Sequence, residues 1–275
     1  MRKIYTLVFA SMFALTGCAS KITVAEAKTK ANEIREHEIA DEDVKELKAS
    51  QKSKVQVKTE GSVVNLDLNV EAEMVYEISA SKNYVHYIQK ASGTLYDTDQ
   101  EGWMYVKDNV FYQAMRTVDD GVEKLEYSKV EGDAASVEAF NKTLEYGIKS
   151  VKESIKAASD EGLAIVDELP EEGESKVELY EGIEVDAKLG AYSSGEGSLI
   201  VKGNFVMNDF NGVNGKASGS YSVSWDKYMI SECTAKFNFS GKDGDKTATV
   251  KVEQEEKLSH SFRASYPDLS KYTEK

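Results

Sequence analysis

The sequence predicts an α+β fold that is mostly β: a large curved antiparallel sheet, or half-barrel, covered by one or two amphipathic helices. Long segments alternate apolar and polar residues with a period of two, which is typical of strands that have one buried and one solvated face. One segment, 133–161, instead repeats apolar residues every three or four positions, as a helix packed against a sheet does.

The N-terminus has the form of an export signal. A cationic Met1-Arg2-Lys3 precedes an uncharged stretch, 4–15, that is too short to span a membrane. Leu15-Thr16-Gly17-Cys18 follows and is similar to the lipobox of bacterial lipoproteins. This resemblance implies that residues 1–17 are a signal peptide, that Cys18 is diacylglycerylated and begins the mature chain, and that 18–22 form a lipidated tether. The alternative is an ordinary cleaved signal peptide with a chance cysteine.

The charge of the chain restricts its partners. The 275 residues include 34 Lys and Arg and 48 Asp and Glu, for a formal net charge of −14, which argues against nucleic-acid binding. Removing 1–17 takes away Arg2 and Lys3 and no acid, so 32 basic and 48 acidic residues leave −16. Anionic lipids repel such a body, so we expect the lipid on Cys18 to anchor it. Cys233 then remains as a buried, unreactive thiol.

Residues 23–275 are predicted to form a single domain that begins with helix. Lys21 to Ser50 has a capping box at Thr23 and Glu26, and Asp41 is expected to cap a second short helix. A meander of strands, 54–131, follows. Its longest strand alternates over residues 64–78, with this apolar set: Val64, Leu66, Leu68, Val70, Ala72, Met74, Tyr76 and Ile78.

The main helix is predicted over 133–161, capped by Asp133 and ended by Gly162, and its apolar side is expected to cover the sheet. A second meander, 176–256, completes the domain. The sequence leaves open whether the two meanders are halves of one sheet or two similar sheets.

A lipidated N-terminus, a leading helix and one amphipathic helix between two runs of long strands resemble the LolA/LolB and LppX/LprG half-barrel superfamily. The resemblance covers about residues 22–270 and carries over no individual binding residue. Members carry acyl chains or lipoproteins in the hollow between sheet and helix, which implies a binding module for a lipid or other hydrophobic ligand. The helix residues expected to line the hollow are Val137, Phe140, Leu144, Ile148 and Val151.

The alternative function is a surface interaction lipoprotein without a small-molecule ligand, whose partner is another envelope protein. No nucleophile–base pair or phosphate-binding loop is present in the sequence, so we expect neither enzymatic activity nor a cofactor. The expected location is extracytoplasmic, on the cell membrane, or on the outer membrane if the host has two membranes.

Candidate metal ligands are few. His37, His86 and His260 have no metal-ligand spacing and are interpreted as three unrelated residues. Asp97-x-Asp99-x-Glu101-Gly102, with Asp108 at the twelfth position, resembles half of a calcium-binding EF-hand loop. An acidic hairpin loop explains the same residues, so we expect no metal site.

Overall fold

In a computed structural model, the structure describes residues 19–61, 65–94, 97–131, 134–169, 176–180, 183–210 and 213–275. The predicted fold class is confirmed: the protein is mostly β, with one large open antiparallel sheet and a helix packed against it. The two predicted meanders belong to this one sheet. The predicted signal peptide, Cys18 and the Asp133 cap lie outside the described residues.

Two α-helices and two short 3-10 helices accompany the strands. The helices are α1 (Val24–Glu36) and α2 (Ala134–Asp167), and the 3-10 helices are Asp41–Val44 and Leu269–Lys271. The strands are β1 (Ser20–Ile22), β2 (Glu46–Glu60), β3 (Leu66–Ser79), β4 (Tyr84–Gly93), β5 (Thr98–Lys107), β6 (Val110–Asp119), β7 (Val122–Glu131), β8 (Lys176–Tyr180), β9 (Ile183–Ser193), β10 (Leu199–Phe210), β11 (Val213–Asp226), β12 (Met229–Asp243), β13 (Lys246–Ser259) and β14 (Thr273–Glu274).

Hydrogen-bonded neighbours in the sheet follow the order β1-β9-β10-β11-β12-β13-β2-β3-β4-β5-β6-β7-β14, and β8 pairs with β9. β14 runs parallel to its neighbour β7, whereas the other pairings whose registers are described are antiparallel. Asp108-Asn109 and Asp119-Asp120-Gly121 are hairpin-turn signals in the sequence, and both turns form. Asp108-Asn109 and Asp120-Gly121 have positive φ at both central residues, as two-residue hairpins with the twist of the sheet require.

The chain divides into two compact units. The first unit comprises the residues up to Glu38, Ser53–Val70 and Ile155–Glu256, and the second comprises Ile39–Lys52, Glu71–Ser154 and Lys257–Lys275. In each unit, the helix-side face of the sheet is the face that contacts α2, and the outer face is the opposite one.

The core of the first unit lies between the helix-side face and both helices. Trp225 is 1% exposed, and its indole N–H donates to the Ser159 hydroxyl of α2 at 2.9 Å. Gly162 lets α2 come this close, because a Cβ there would lie 3.0 Å from the Trp225 ring. The buried residues of this core are Ala27, Ala31, Ile34, Leu163, Val166, Leu169, Ala191, Leu199, Val201, Val223 and Trp225.

Gly162 does not end the main helix, so that prediction is wrong. The helix continues to Asp167 because Leu163 and Val166, both 0% exposed, belong to the core of the first unit. Arg35 stabilises the helix end by donating to the Leu163 carbonyl at 2.9 Å and to the Asp167 carboxylate at 2.6 Å. Burial and these two hydrogen bonds outweigh the low helix propensity of glycine.

The predicted helix over Lys21 to Ser50 is correct only at its start. The Thr23–Glu26 capping box forms at the beginning of α1. The second short helix forms only as a 3-10 turn over residues 41–44, preceded by Ala40 as its cap, and β2 begins at Glu46. Leu47 is 1% exposed on this strand, so tertiary burial and strand pairing override the local preference.

Candidate functional site

Two contacts identify the helix-side face in the second unit. The ring centroids of Phe140 in α2 and Phe111 in β6 lie 4.9 Å apart. Gly147 in α2 lies against Ile78 in β3, since a Cβ on this glycine would be 3.4 Å from the Ile78 Cδ1 atom. Because side chains alternate along a strand, these contacts determine which residues of β3 to β7 lie on this face.

Exposure increases along the helix-side face of β3. Ile78 is 1% exposed, Tyr76 is 37% exposed and Met74 is 50% exposed. The partial burial of Tyr76 raises the pKa of its phenol. A row of large apolar side chains therefore continues from the core into solvent on one face of one strand.

The neighbouring strands extend this surface. In the registers of β4, β5 and β6, Tyr87 lies opposite Gly102, Gly102 lies opposite Met115, and Val85 lies opposite Met104. Tyr87, Met104 and Met115 are all partly exposed. The Tyr87 ring lies over Gly102, where a Cβ would come within 2.4 Å of it.

We call Met74, Tyr76, Tyr87, Met104 and Met115 the open apolar face. Three of these five residues are methionines, whose flexible and polarisable side chains adapt to partners of different shape. Partly exposed apolar surface beside a filled core is typical of a binding site for a hydrophobic group. The open apolar face is therefore the candidate site.

The predicted ligand-binding residues of α2 lie beside this surface. Phe140 and Leu144 are 7% and 3% exposed, and Val137, Ile148 and Val151 are partly buried. Their contact with a ligand stays a prediction. Met74 and Tyr76 belonged to the predicted apolar set of β3, but the sequence does not distinguish them from Ile78, because the coverage by α2 is a tertiary property.

One polar group of the first unit is unusual. Tyr221 in β11 lies opposite Gly203 and Ala235, on the same face as Trp225. Its hydroxyl is buried and, within the described residues, has no hydrogen-bond partner. Burial raises the pKa of this phenol. A buried hydroxyl without a partner costs free energy, so this group does not stabilise the core through a hydrogen bond within the described residues.

Cys233 lies in the first unit opposite Val223 and is a free, partly buried thiol packed against the core. Burial raises the pKa of this thiol to about 12, with smaller contributions from Glu256 and Glu232. The thiolate, which is the reactive form, is therefore strongly disfavoured at neutral pH.

The outer face of the second unit holds a buried polar cluster that the sequence did not predict. His86 contacts Glu77 through Nδ1 at 2.9 Å and Glu101 through Nε2 at 3.0 Å. Lys48 donates to the second oxygen of Glu77 at 2.7 Å. Burial alone would raise the pKa of Glu77, but the hydrogen bonds from Lys48 and His86 outweigh it and hold that pKa below the ordinary value. We call Lys48, Glu77, His86 and Glu101 the His86 cluster.

The three histidines have separate partners: His37 stacks on Tyr228, His260 lies beside the Asp43 carbonyl, and His86 joins two carboxylates from different strands. Alternation placed Glu77 on a solvated face, yet its side chain is only 5% exposed. The C-terminal residues cover this part of the outer face, where Phe262, Ala264, Leu269 and Tyr272 pack on Tyr84, Trp103 and Tyr105.

The EF-hand-like segment does not form a loop. Residues 98–107 are the strand β5, so Asp97 and Asp108 lie beyond its opposite ends. Asp99 accepts a hydrogen bond from Arg116 at 2.8 Å, and Glu101 contacts His86. An extended strand separates these oxygens too widely for one calcium ion.

Within the described ranges, no group of three or more His, Cys, Asp or Glu side chains is placed to hold a metal ion. No helix in the described part of the chain is long and apolar enough to cross a membrane. Comparison with models of known protein families and with curated protein sequences finds no match to this chain.

Proposed function

We propose that the mature protein is an extracytoplasmic lipoprotein, anchored through Cys18, that binds a lipid or another hydrophobic ligand. The ligand contacts the open apolar face of the second unit. The observation that carries the proposal is the row of Ile78, Tyr76 and Met74, which passes from the core into solvent. Covering such a surface is favoured by about 25 cal/mol per Å² of apolar area. The resemblance to the half-barrel superfamily supports the same function.

The polar residues on the same face favour an amphipathic ligand. Gln89 lies opposite Gln100, and Gln113 lies opposite Met104, which places three amides on the face that carries the methionines. An amide both donates and accepts hydrogen bonds. These groups suit an uncharged polar group, such as an ester or a hydroxyl, attached to an apolar chain.

Native mass spectrometry of the full-length protein, purified from membranes in mild detergent, tests the ligand proposal. We expect a bound hydrophobic molecule in the wild type. The double substitution Met74→Ser and Tyr76→Ser should lower the affinity for this molecule about tenfold and so reduce the bound fraction, because roughly 1–2 kcal/mol of apolar contact is lost. Tyr146→Ser is the matched control, since Tyr146 lies on α2, is 75% exposed and should leave the occupancy unchanged. An empty wild type, or equal loss in both variants, would contradict the proposal.

Anchoring is tested separately. Cys18→Ala should abolish incorporation of labelled palmitate and release the protein from the membrane fraction, because it removes the thiol that the lipobox presents. Cys233→Ala is the control, since this partly buried thiol should not be lipidated. Labelling of the Cys18 variant would show that the lipobox interpretation is wrong.

A second candidate function, an interaction lipoprotein without a small ligand, is favoured by strand β7, which its neighbour β14 covers only in part. Val122 and Val130 are 59% and 45% exposed, and β14 pairs with β7 only at Glu126 and Tyr127 in the described residues. A protein partner cross-linked in intact cells and lost in Val122→Ser with Val130→Ser, together with a ligand-free wild type, would favour this alternative.

A further inference from the structure

The C-terminal segment, Lys257–Lys275, is held on the outer face of the second unit by hydrogen bonds that converge on one carbonyl. The Ser265 carbonyl accepts from the Tyr84 hydroxyl at 2.8 Å and from the Trp103 indole N–H at 3.1 Å. The Ser265 amide donates back to the Tyr84 hydroxyl at 3.3 Å. Tyr266 adds an edge-on ring contact with Tyr84 at 5.3 Å between centroids.

His86 lies directly beside both donors. Its ring stacks on Trp103 with centroids 5.0 Å apart and an interplanar angle of 16°, and it lies 6.2 Å from the ring of Tyr84. The Tyr84 hydroxyl is also 3.4 Å from the Glu77 carboxylate that contacts His86. The residues that hold the segment are therefore in direct contact with the His86 cluster.

Both contacts of His86 are hydrogen bonds donated by the ring only if it carries two protons. Both ring nitrogens face carboxylate oxygens, which only accept hydrogen bonds. A neutral imidazole has one N–H, so it can donate to Glu77 or to Glu101 but not to both. The doubly protonated ring donates to both carboxylates and presents a cation to the face of Trp103, which is favourable.

The charged groups beside His86 favour that state. Glu77 faces it from β3 and Glu101 from β5, and Lys48 of β2 neutralises the second oxygen of Glu77. Tyr84 lies two residues away on β4, and Arg116 of β6, which is opposite Glu101, is paired with Asp99 and Glu123. From the C-terminal segment, Tyr272 contacts the indole that stacks on His86. With His86 protonated, two cations face two carboxylates. Without that proton, a buried nitrogen lone pair faces a carboxylate lone pair.

We propose that His86 is a protonation-dependent latch for the C-terminal segment. While the ring is doubly protonated, the His86 cluster holds Trp103 and Tyr84 in place for Ser265. When the ring loses a proton, Glu101, whose side chain is 23% exposed against 5% for Glu77, turns to solvent. Trp103 then loses its cation contact, and the segment detaches from the aromatic outer face.

Hydrogen–deuterium exchange of the full-length protein at about pH 5.5 and about pH 8.5, corrected for intrinsic exchange rates, tests the latch. We expect the amides of 261–275 to exchange about tenfold faster at the higher pH in the wild type, while those of β11 are unchanged. Two variants should remove this pH dependence for different reasons.

His86→Gln cannot gain the second proton, so the segment should exchange rapidly at both pH values. Glu101→Gln offers an amide N–H to the neutral ring, so the segment should stay protected at both. His37→Gln is the control, because His37 belongs to the first unit, where it stacks on Tyr228, and should behave as wild type. Equal protection of the wild type at both pH values, or unchanged pH dependence in His86→Gln or Glu101→Gln, would overturn the proposal.

Discussion

The two faces of the sheet in the second unit are both rich in aromatic and large apolar residues, yet they are covered in different ways. On the outer face, Tyr84, Trp103 and Tyr105 are at most 7% exposed beneath the C-terminal segment. On the helix-side face, Tyr76 and Met74 are 37% and 50% exposed. The two surfaces are chemically similar, but among the described residues the C-terminal segment covers the outer one more fully than α2 covers the helix-side one.

The two faces differ in whether their side chains make directional hydrogen bonds to whatever covers them. On the outer face, the Tyr84 hydroxyl and the Trp103 indole N–H both donate to the Ser265 carbonyl. These directional hydrogen bonds fix one partner in one position. The helix-side face presents Met74, Met104 and Met115, which make non-directional contacts and tolerate many shapes. This contrast suits a fixed intramolecular cover on one face and an exchangeable hydrophobic ligand on the other.

The largest expected effect is on the outer face. Trp103→Ala should lower the free energy of unfolding by about 3–5 kcal/mol, because it leaves a cavity beneath the segment and removes the donor to Ser265. Met74→Ala should cost about 1 kcal/mol or less, since half of that side chain is already in water. Urea unfolding of both variants measures the difference, and equal costs would show that the two faces do not differ in packing.

The second-largest expected effect is a loss of stability at alkaline pH, when the buried tyrosines of the outer face ionise. Burial is the main cause that raises the pKa of Tyr84 and of Tyr105 to about 12. The folded protein thus retains these protons longer than the unfolded chain, whose tyrosines titrate near pH 10. Each buried tyrosine contributes on the order of 2 kcal/mol to the free energy of unfolding. This contribution is complete below about pH 10 and is lost as the pH rises to about 12.

Phenolate absorbance and circular dichroism followed together from neutral to alkaline pH measure this loss. The late-titrating phenols should ionise together with unfolding. Tyr84→Phe should remove one of them from the titration. Ionisation of all tyrosines near pH 10 without unfolding would contradict the assignment.

An intermediate effect is expected from Gly102→Ala, which tests whether side chains on the helix-side face can rearrange. Gly102→Ala places a Cβ within 2.4 Å of the Tyr87 ring, so the ring must move aside. Because Tyr87 is partly exposed, we expect the free energy of unfolding, measured in urea, to fall by only about 1 kcal/mol. Combining Gly102→Ala with Tyr87→Ala should remove the clash. A cost above about 3 kcal/mol would mean that this face is as rigid as a filled core.

The smallest expected effect is that of Tyr221→Phe, and Tyr84→Phe is its comparison because the two hydroxyls differ in hydrogen bonding. Tyr84→Phe removes a hydroxyl that donates to Ser265 and should cost about 1–2 kcal/mol. Tyr221→Phe removes a buried hydroxyl without a partner in the described residues, so stability should stay equal or rise by up to about 1 kcal/mol. Thermal unfolding of the two variants provides the measurement, and a loss in Tyr221→Phe would show that its hydroxyl has a partner.

The periodicity of the sequence predicted regular elements well but did not predict burial. Alternation correctly predicted the strands of the sheet, and the three-four spacing from Val137 to Val151 predicted α2, because these periods follow from backbone geometry. The same reasoning failed at Leu47 and Gly162, where burial decides between helix and strand or extends a helix. Local preference is worth only about 1 kcal/mol per residue and is easily outweighed.

The sequence by itself determined the fold class, the hairpin turns at Asp108-Asn109 and Asp120-Gly121, and the sheet-facing side of α2. Only the tertiary structure decided which apolar residues stay open and which polar residues are buried. Met74 and Ile78 follow the same pattern in one strand but differ in their cover, and Glu77 is buried against Lys48 and His86 although alternation puts it on the solvated face. Exposure depends on what packs above a residue, and a period along the chain does not contain that information.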